Sequence, residues 1–246
     1  MNLPISTTVD LINALVCGYL AVRLGRAMHQ DPASRMLRYF FYTYAALTTA
    51  YTLLTVPRLI ANQHTDFLGY AFSFGMLFFL LASAFFSRVV LAYVLPRWTR
   101  PFFPLYLGLS AVACLWLLIA RAAPVVDPST GITNWNADPA AGLYTAFLFL
   151  IVLLPGAILF LRQAMLTKDN HIVRVRSFTI GLGSIFLAIS AALVFSANTE
   201  VLAVMSDFFS TGALLVIFLG VAYHRPKVLP TLPPTTSSTT NTPHAA

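Results

Sequence analysis

Charge is what this chain has least of. Asp, Glu, Lys and Arg make up 9% of its 246 residues, against about 25% in an ordinary soluble domain. Hydrophobic residues reach 58% and mean hydropathy is +0.78, which is a membrane composition. Lysine is nearly missing: Lys168 and Lys227 stand in or beside loops. That excludes the Schiff base of a retinal protein, since the position four residues after Asp207 is Thr211. The two cysteines, Cys17 and Cys114, lie inside apolar runs and read as small buried hydrophobes rather than a disulfide. His29, His64, His171, His224 and His244 fall at loops, ends or the tail. They offer no His–Glu pair for a metalloprotease and no paired ligands for haem. No Ser–His arrangement, paired carboxylates or phosphate loop is visible from spacing, so neither an enzyme nor a metal or cofactor site is expected. No basic segment precedes the first apolar run, so a cleavable signal peptide is not expected either.

What the chain has is long apolar runs. Residues 67–88, FLGYAFSFGMLFFLLASAFFSR, carry no charge until Arg88. About 20 residues at ~1.5 Å each cross a ~30 Å hydrocarbon layer. Seven runs of this kind are expected as helices, at 5–24, 39–61, 67–95, 102–123, 140–161, 178–197 and 201–223. The fold class is therefore an all-α integral membrane protein, a seven-helix bundle over residues 1–225. Residues 226–246 are Pro/Thr/Ser-rich and are expected to be disordered. That leaves no kinase or cyclase domain, so a signal would leave through another protein.

The formal net charge of +7 would point to nucleic acid in a soluble protein; here its distribution sets topology. With the N-terminus outside, 13 of the 15 basic residues face inward, leaving Arg58 and Arg121 outside. Six of eight acidic residues go outward: Asp10, Asp66, Asp127, Asp138, Glu200 and Asp207. The positive-inside rule then predicts a cell-membrane protein, N-terminus out and C-terminus in, with the lipid bilayer and not nucleic acid as its partner. The outer loop 124–139 is expected to be irregular, with Trp135 at the interface or over the mouth of the bundle.

A shift of 137 positions sets Phe72, Ser73, Gly75, Leu77 and Arg88 on Phe209, Ser210, Gly212, Leu214 and Arg225. The same shift sets Leu24, Ala27 and Met28 on Leu161, Ala164 and Met165. Spans 1–3 and 5–7 then read as parallel repeats joined by an odd fourth helix, a 3+1+3 plan. The alternative is chance alignment of a short apolar alphabet.

Ionisable groups within spans are the first candidates for function. Asp207 shares a helix face with Ser210 and Thr211; Asp10 continues into Asn13 and Cys17. Each aspartate either faces the bundle interior or sits in the outer headgroup layer, hydrated or capping a helix start, the capping role being the one read for Asp10 behind Ser6-Thr7-Thr8. Tyr44, Thr48, Tyr51, Thr52 and Thr55 form a polar stripe that lines a ligand pocket or bonds across helices. The candidate ligand-binding set is Asp10, Asn13, Tyr44, Thr48, Tyr51, Asp207 and Thr211. Arg35, Arg38, Arg174 and Arg176 are candidates for contact with a cytoplasmic partner or anionic lipid. Ser177, Gly181, Ser184, Ala188 and Ala191 form a small-residue packing stripe, and Pro155 predicts a kink.

Arg88 at the inner end of a third helix resembles the layout of G-protein-coupled receptors, but Ser87-Arg88-Val89 stands where those carry an acid-Arg-aromatic triplet. Both Arg88 and Arg225 read as inner-boundary anchors. In span number and topology the chain resembles the seven-helix input modules of bacterial sensor kinases and cyclases. That resemblance implies a receptor-like sensor binding a ligand from outside. The 3+1+3 plan is similar to sugar-efflux transporters of the SWEET type and implies a small-solute carrier. A scaffold or assembly subunit is the third reading.

Overall fold

The computed structural model describes residues 5–61, 64–127, 129–196 and 199–222. Seven helices follow in order: α1 (Ile5–Gln30), α2 (Arg35–Ala61), α3 (Thr65–Val94), α4 (Thr99–Ala120), α5 (Pro139–Leu166), α6 (His171–Ser196) and α7 (Glu200–Ala222). A single 3-10 turn, Pro96–Trp98, precedes α4. α1, α2, α5 and α6 run further toward the arginine-bearing loops than the apolar runs alone, because polar residues there continue a helix into water. α5 passes through Pro155 as one element. The disordered-tail expectation, 226–246, lies outside the described residues.

Six of these helices are long and apolar enough to cross a membrane; α2 is the exception among the seven expected. The reason is compositional. α2 is 27 residues long, but Arg35, Arg38, Arg58 and its tyrosines and threonines dilute its hydropathy. It nevertheless packs along its length between α1 and α3. Outward faces carry large exposed apolar side chains, among them Leu15, Leu115, Ile119, Phe147, Ile158 and Leu219. Water would penalise so continuous a patch; hydrocarbon does not.

Each helix packs on its sequence neighbours, α7 returns to α1, and α3 touches α5 directly. α4 packs on the outside of the α3–α5 seam. It is pinned there by the Tyr106 hydroxyl, which donates to the Leu148 carbonyl at 2.9 Å, and by the Cys114 thiol on the Ser73 carbonyl at 3.3 Å. Both cysteines are free and buried. Burial divides into two cores. The larger joins α3, α4, α5 and α6 around Phe72, Leu80, Tyr106, Leu117 and Leu148; the smaller joins α1, α2 and α7 around Cys17, Leu20, Leu47 and Leu214.

α6 is gripped on two faces by small residues. The expected stripe places Gly181 against Leu161 of α5, where an added Cβ would sit 2.8 Å from the Leu161 side chain. Gly183, outside that stripe, faces Ile217 and the Ala213 carbonyl of α7. Close backbone approach is what small residues provide where lipid gives helices no hydrophobic push together.

The loop between α4 and α5 is not irregular. Val125–Val126 (β1) and Thr133–Asn134 (β2) pair antiparallel, with Val125 opposite Asn134 and Val126 opposite Thr133. The residues that rule out a helix here are good turn formers. Asp127 Oδ1 accepts from the Ser129 N–H and hydroxyl, both at 2.6 Å, and from the Thr130 N–H at 3.1 Å. Gly131 takes φ of 69°, a conformation glycine adopts without Cβ strain. These bonds hold the Asp127 carboxyl down at about 2, the Ser129 hydroxyl being the largest cause. The hairpin lies across the starts of α1 and α7: Ile5 N–H meets the Thr130 carbonyl at 3.5 Å, and β2 packs on α7.

Candidate functional site

Between the two cores lies a chamber of about 140 Å³, walled by α1, α2, α3, α5, α6 and α7 and roofed by Trp135, the residue that follows β2 of the hairpin. α4 contributes nothing to its lining. Most of the wall is apolar, from Leu54, Met76, Phe79, Phe149 and Leu153 to Ile217. At the arginine end Phe86 forms the floor and joins Phe40 and Phe160 in a three-ring cluster, with centroids 6.1–6.5 Å apart. Gly156 makes room for that floor, since a Cβ there would stand 2.7 Å from the Phe86 ring.

The polar part of the wall gathers under the hairpin. α1 presents Asp10, one turn and a half in from Ile5, so it caps no helix start. α2, running the other way, presents Arg58 near its end. Arg58 Nη1 meets Asp10 Oδ2 at 2.6 Å, both side chains under a tenth exposed. Burial of both side chains makes that pairing obligatory, because either charge alone would be costly. The guanidinium lies 4.4 Å from the Trp135 ring centroid, and Trp135 stacks on Phe72 at 4.7 Å. Of the two places expected for Trp135, the structure selects the one over the bundle mouth, 7% exposed.

α7 brings Asp207 to the same place. Its Oδ2 accepts from the Ser6 hydroxyl at 2.8 Å, and Ser6 Oγ in turn accepts the Thr133 N–H of the hairpin at 3.3 Å. One serine on α1 thus ties the lid to the α7 carboxylate. Deeper, Asn13 Nδ2 donates to Ser210 Oγ at 3.2 Å, and Ser190 and Ser206 exchange bonds to each other's carbonyls at 3.0 and 3.1 Å.

Of the seven candidate binding residues, Asp10, Tyr44, Tyr51 and Asp207 line the chamber. Asn13 is fully buried behind it, reaching the wall through Ser210. Thr48 and Thr211 do not line it. The α2 hydroxyl stripe divides: Tyr44 and Tyr51 line the chamber and Tyr51 is within hydrogen-bonding reach of Ser210 on α7, whereas its threonines do neither. Thr48, Thr52 and Thr55 each donate to the carbonyl four residues back, at 2.7 Å, which satisfies them within their own helix.

Arg58, Ser6, Ser190 and Ser206 were not among the candidates. Arg58 reads in sequence as one of two stray outer arginines, and its exception to the charge pattern was the available signal. Arg35, Arg38, Arg174 and Arg176 are exposed at the opposite end of the bundle. Arg88 is more than a boundary anchor: its guanidinium lies 3.9 Å from the Phe103 ring centroid and reaches the Tyr39 hydroxyl at 3.4 Å. Among the described residues, no three His, Cys, Asp or Glu side chains are grouped as a metal ion would need. Comparison of the chain with protein-family models, with curated proteins and with solved structures finds no match, so the site stands on its geometry.

Proposed function

We propose that this chain is a seven-span, receptor-like sensor of the cell membrane, non-enzymatic, that takes a small ligand into the chamber from the outer side. One observation carries the reading: a buried ion pair and a second carboxylate meet under a hairpin lid at one end of an otherwise apolar chamber. Convergent polar groups in a mostly apolar pocket are the usual mark of a small-molecule site. The aromatic floor favours binding over conduction. Positive-inside bias puts the lid outside and Arg35, Arg38, Arg174 and Arg176 in the cytoplasm, where a partner protein would read the bundle.

The coupling follows from Ser6. A ligand that engages Asp207 competes for the carboxylate that Ser6 holds, and Ser6 also holds the Thr133 N–H. Occupancy therefore shifts the hairpin and the α1–α7 seam together. Differential contact of this kind is what a ligand needs in order to move a conformational equilibrium.

A carrier is the second reading, favoured by the exclusion of α4 from a wall made by three helices on either side. The two readings separate in one experiment. In a variant lacking Cys17 and Cys114, Ser206→Cys is challenged with a membrane-impermeant methanethiosulfonate on either face of sealed proteoliposomes of known orientation. The sensor reading expects modification from the hairpin side only. Modification from both sides establishes alternating access and replaces it; modification from the arginine side alone overturns both the topology and the reading.

A further inference from the structure

The chemistry of the occupant follows from counting charges, and it rests on the binding reading above. Asp10 and Asp207 line the chamber with Arg58 as the cationic member of the wall. Arg58 pairs directly with Asp10 at 2.6 Å, while Asp207 accepts from a neutral hydroxyl, Ser6, at 2.8 Å. Two carboxyl groups against one guanidinium leave Asp207 without a cation of its own, and an ammonium beside it would hold it as a carboxylate. Outside the chamber the sign is the same: Asp127 and Glu200 are within hydrogen-bonding reach of each other beside the hairpin, a pair that carries one negative charge when it shares a proton. A cation is drawn toward such a mouth and finds a counter-charge inside it.

Two more observations narrow the class. The chamber volume of about 140 Å³ is close to that of an engineered apolar cavity, ~150 Å³, that holds benzene. Arg58 is 5% exposed and stands in the chamber wall, yet its Nε has no hydrogen-bond partner. A buried N–H left open is a donor waiting for an oxygen.

We propose that the chamber binds a compact protonated amine, with an apolar body about the size of a benzene ring and an oxygen beside the amino group. The ammonium sits on Asp207, the oxygen accepts from Arg58 Nε, and the ring lies among Phe79, Phe149 and Leu153.

The test uses the full chain in phosphatidylcholine nanodiscs, a zwitterionic lipid that does not itself gather amines. Trp98 and Trp116, both exposed, are changed to Phe so that Trp135 alone reports. Four probes of one shape are titrated: 2-amino-1-phenylethanol, phenethylamine, 2-phenylethanol and phenylacetate, with empty discs subtracted for partitioning. Phenethylamine is expected to saturate at least about tenfold tighter than 2-phenylethanol, the worth of a charge-assisted bond. 2-Amino-1-phenylethanol is expected to gain a further ~threefold or more from a neutral one. Phenylacetate is expected to leave Trp135 unmoved.

In Asp207→Asn the amine and the alcohol should bind alike, and an unchanged thermal midpoint confirms the fold. The wild-type series decides even if that variant does not fold. Equal binding of amine and alcohol, or preference for phenylacetate, overturns the cation while leaving a binding chamber. A flat response to all four also overturns the amine, and labelling of Ser206→Cys then judges the binding reading separately.

Discussion

Removing Arg58 is the sharpest perturbation this bundle offers. Arg58→Met keeps much of the side-chain volume but strips the charge from a pair whose members are 4% and 8% exposed. Asp10 would then be a buried carboxylate with no cation, a loss of ~3–5 kcal/mol. The guanidinium also leaves the Trp135 ring, 4.4 Å away, for about 1 kcal/mol more. The single variant should therefore lose roughly 4–6 kcal/mol by these two contributions. The double variant Asp10→Leu/Arg58→Met removes both charges. Buried ion pairs replaced as a unit by apolar residues are often neutral or better, so it should lie within ~1 kcal/mol of wild type apart from the Trp135 contact. The assay is unfolding in mixed micelles by rising SDS fraction, followed by far-UV circular dichroism and closed as a double-mutant cycle. A single variant costing less than ~1 kcal/mol would mean a hydrated pair. A double variant no better than the single would mean that Arg58 acts through packing alone. Either result refutes the buried-pair reasoning.

Glycine contacts give a second pair of outcomes. Gly183→Ala drives a Cβ into Ile217 and to 3.0 Å from the Ala213 carbonyl, and should cost ~1–3 kcal/mol in the same unfolding assay. Gly108→Ala meets nothing within 4 Å and should be neutral or up to ~1 kcal/mol stabilising through helix propensity. Trp135→Ala should speed methanethiosulfonate labelling of Ser206→Cys from the hairpin side; an unchanged rate would mean that Trp135 is no lid. The hairpin has its own pH signature. Asp127 is held at about 2, below the ordinary ~3.9. Its stabilisation is therefore complete above the ordinary value and disappears as pH falls through about 2. Asp127→Ala should alter Trp135 emission at pH 7 and approach wild type only as pH falls below about 2, which a pH titration of both proteins checks.

The fold was legible because hydropathy is a local property. Residues 67–88 announce a spanning helix without reference to anything else in the chain. α2 was legible by length but not by apolarity, since its tyrosines, threonines and Arg58 are polar for reasons that lie elsewhere. The threonines look like a recognition stripe, yet three of them back-bond their own carbonyls. One sequence cannot distinguish a hydroxyl that satisfies itself from one that waits for a partner. Asp10 and Asp207 were legible as costly groups; their meeting place was not. The contact that brings Arg58 to Asp10 spans 48 positions, and that of Ser6 with Asp207 spans 201. No periodicity encodes such pairings.

The two aspartates, alike in sequence, are held by different partners. Asp10 is neutralised by a full charge from a neighbouring helix, so it fixes α1 against α2 and anchors Trp135 through the shared guanidinium. Among the described residues, the direct side-chain hydrogen bond to the Asp207 carboxyl comes from the hydroxyl of Ser6, a bond worth far less than an ion pair. A stronger partner is able to take its place, whereas none readily displaces Arg58 from Asp10. In the proposed sensor, structural and exchangeable roles would be separated by the strength of the bond each carboxyl group already has. It is the weakly held one that is tied, through Ser6 and the Thr133 N–H, to the lid. If Ser6→Ala frees the hairpin, labelling of Ser206→Cys should accelerate even though no chamber residue has changed. An unaltered rate would show that the lid is held without Ser6, by Trp135 on Phe72 and Arg58 and by the Ile5–Thr130 bond, and that Asp207 has no route to it.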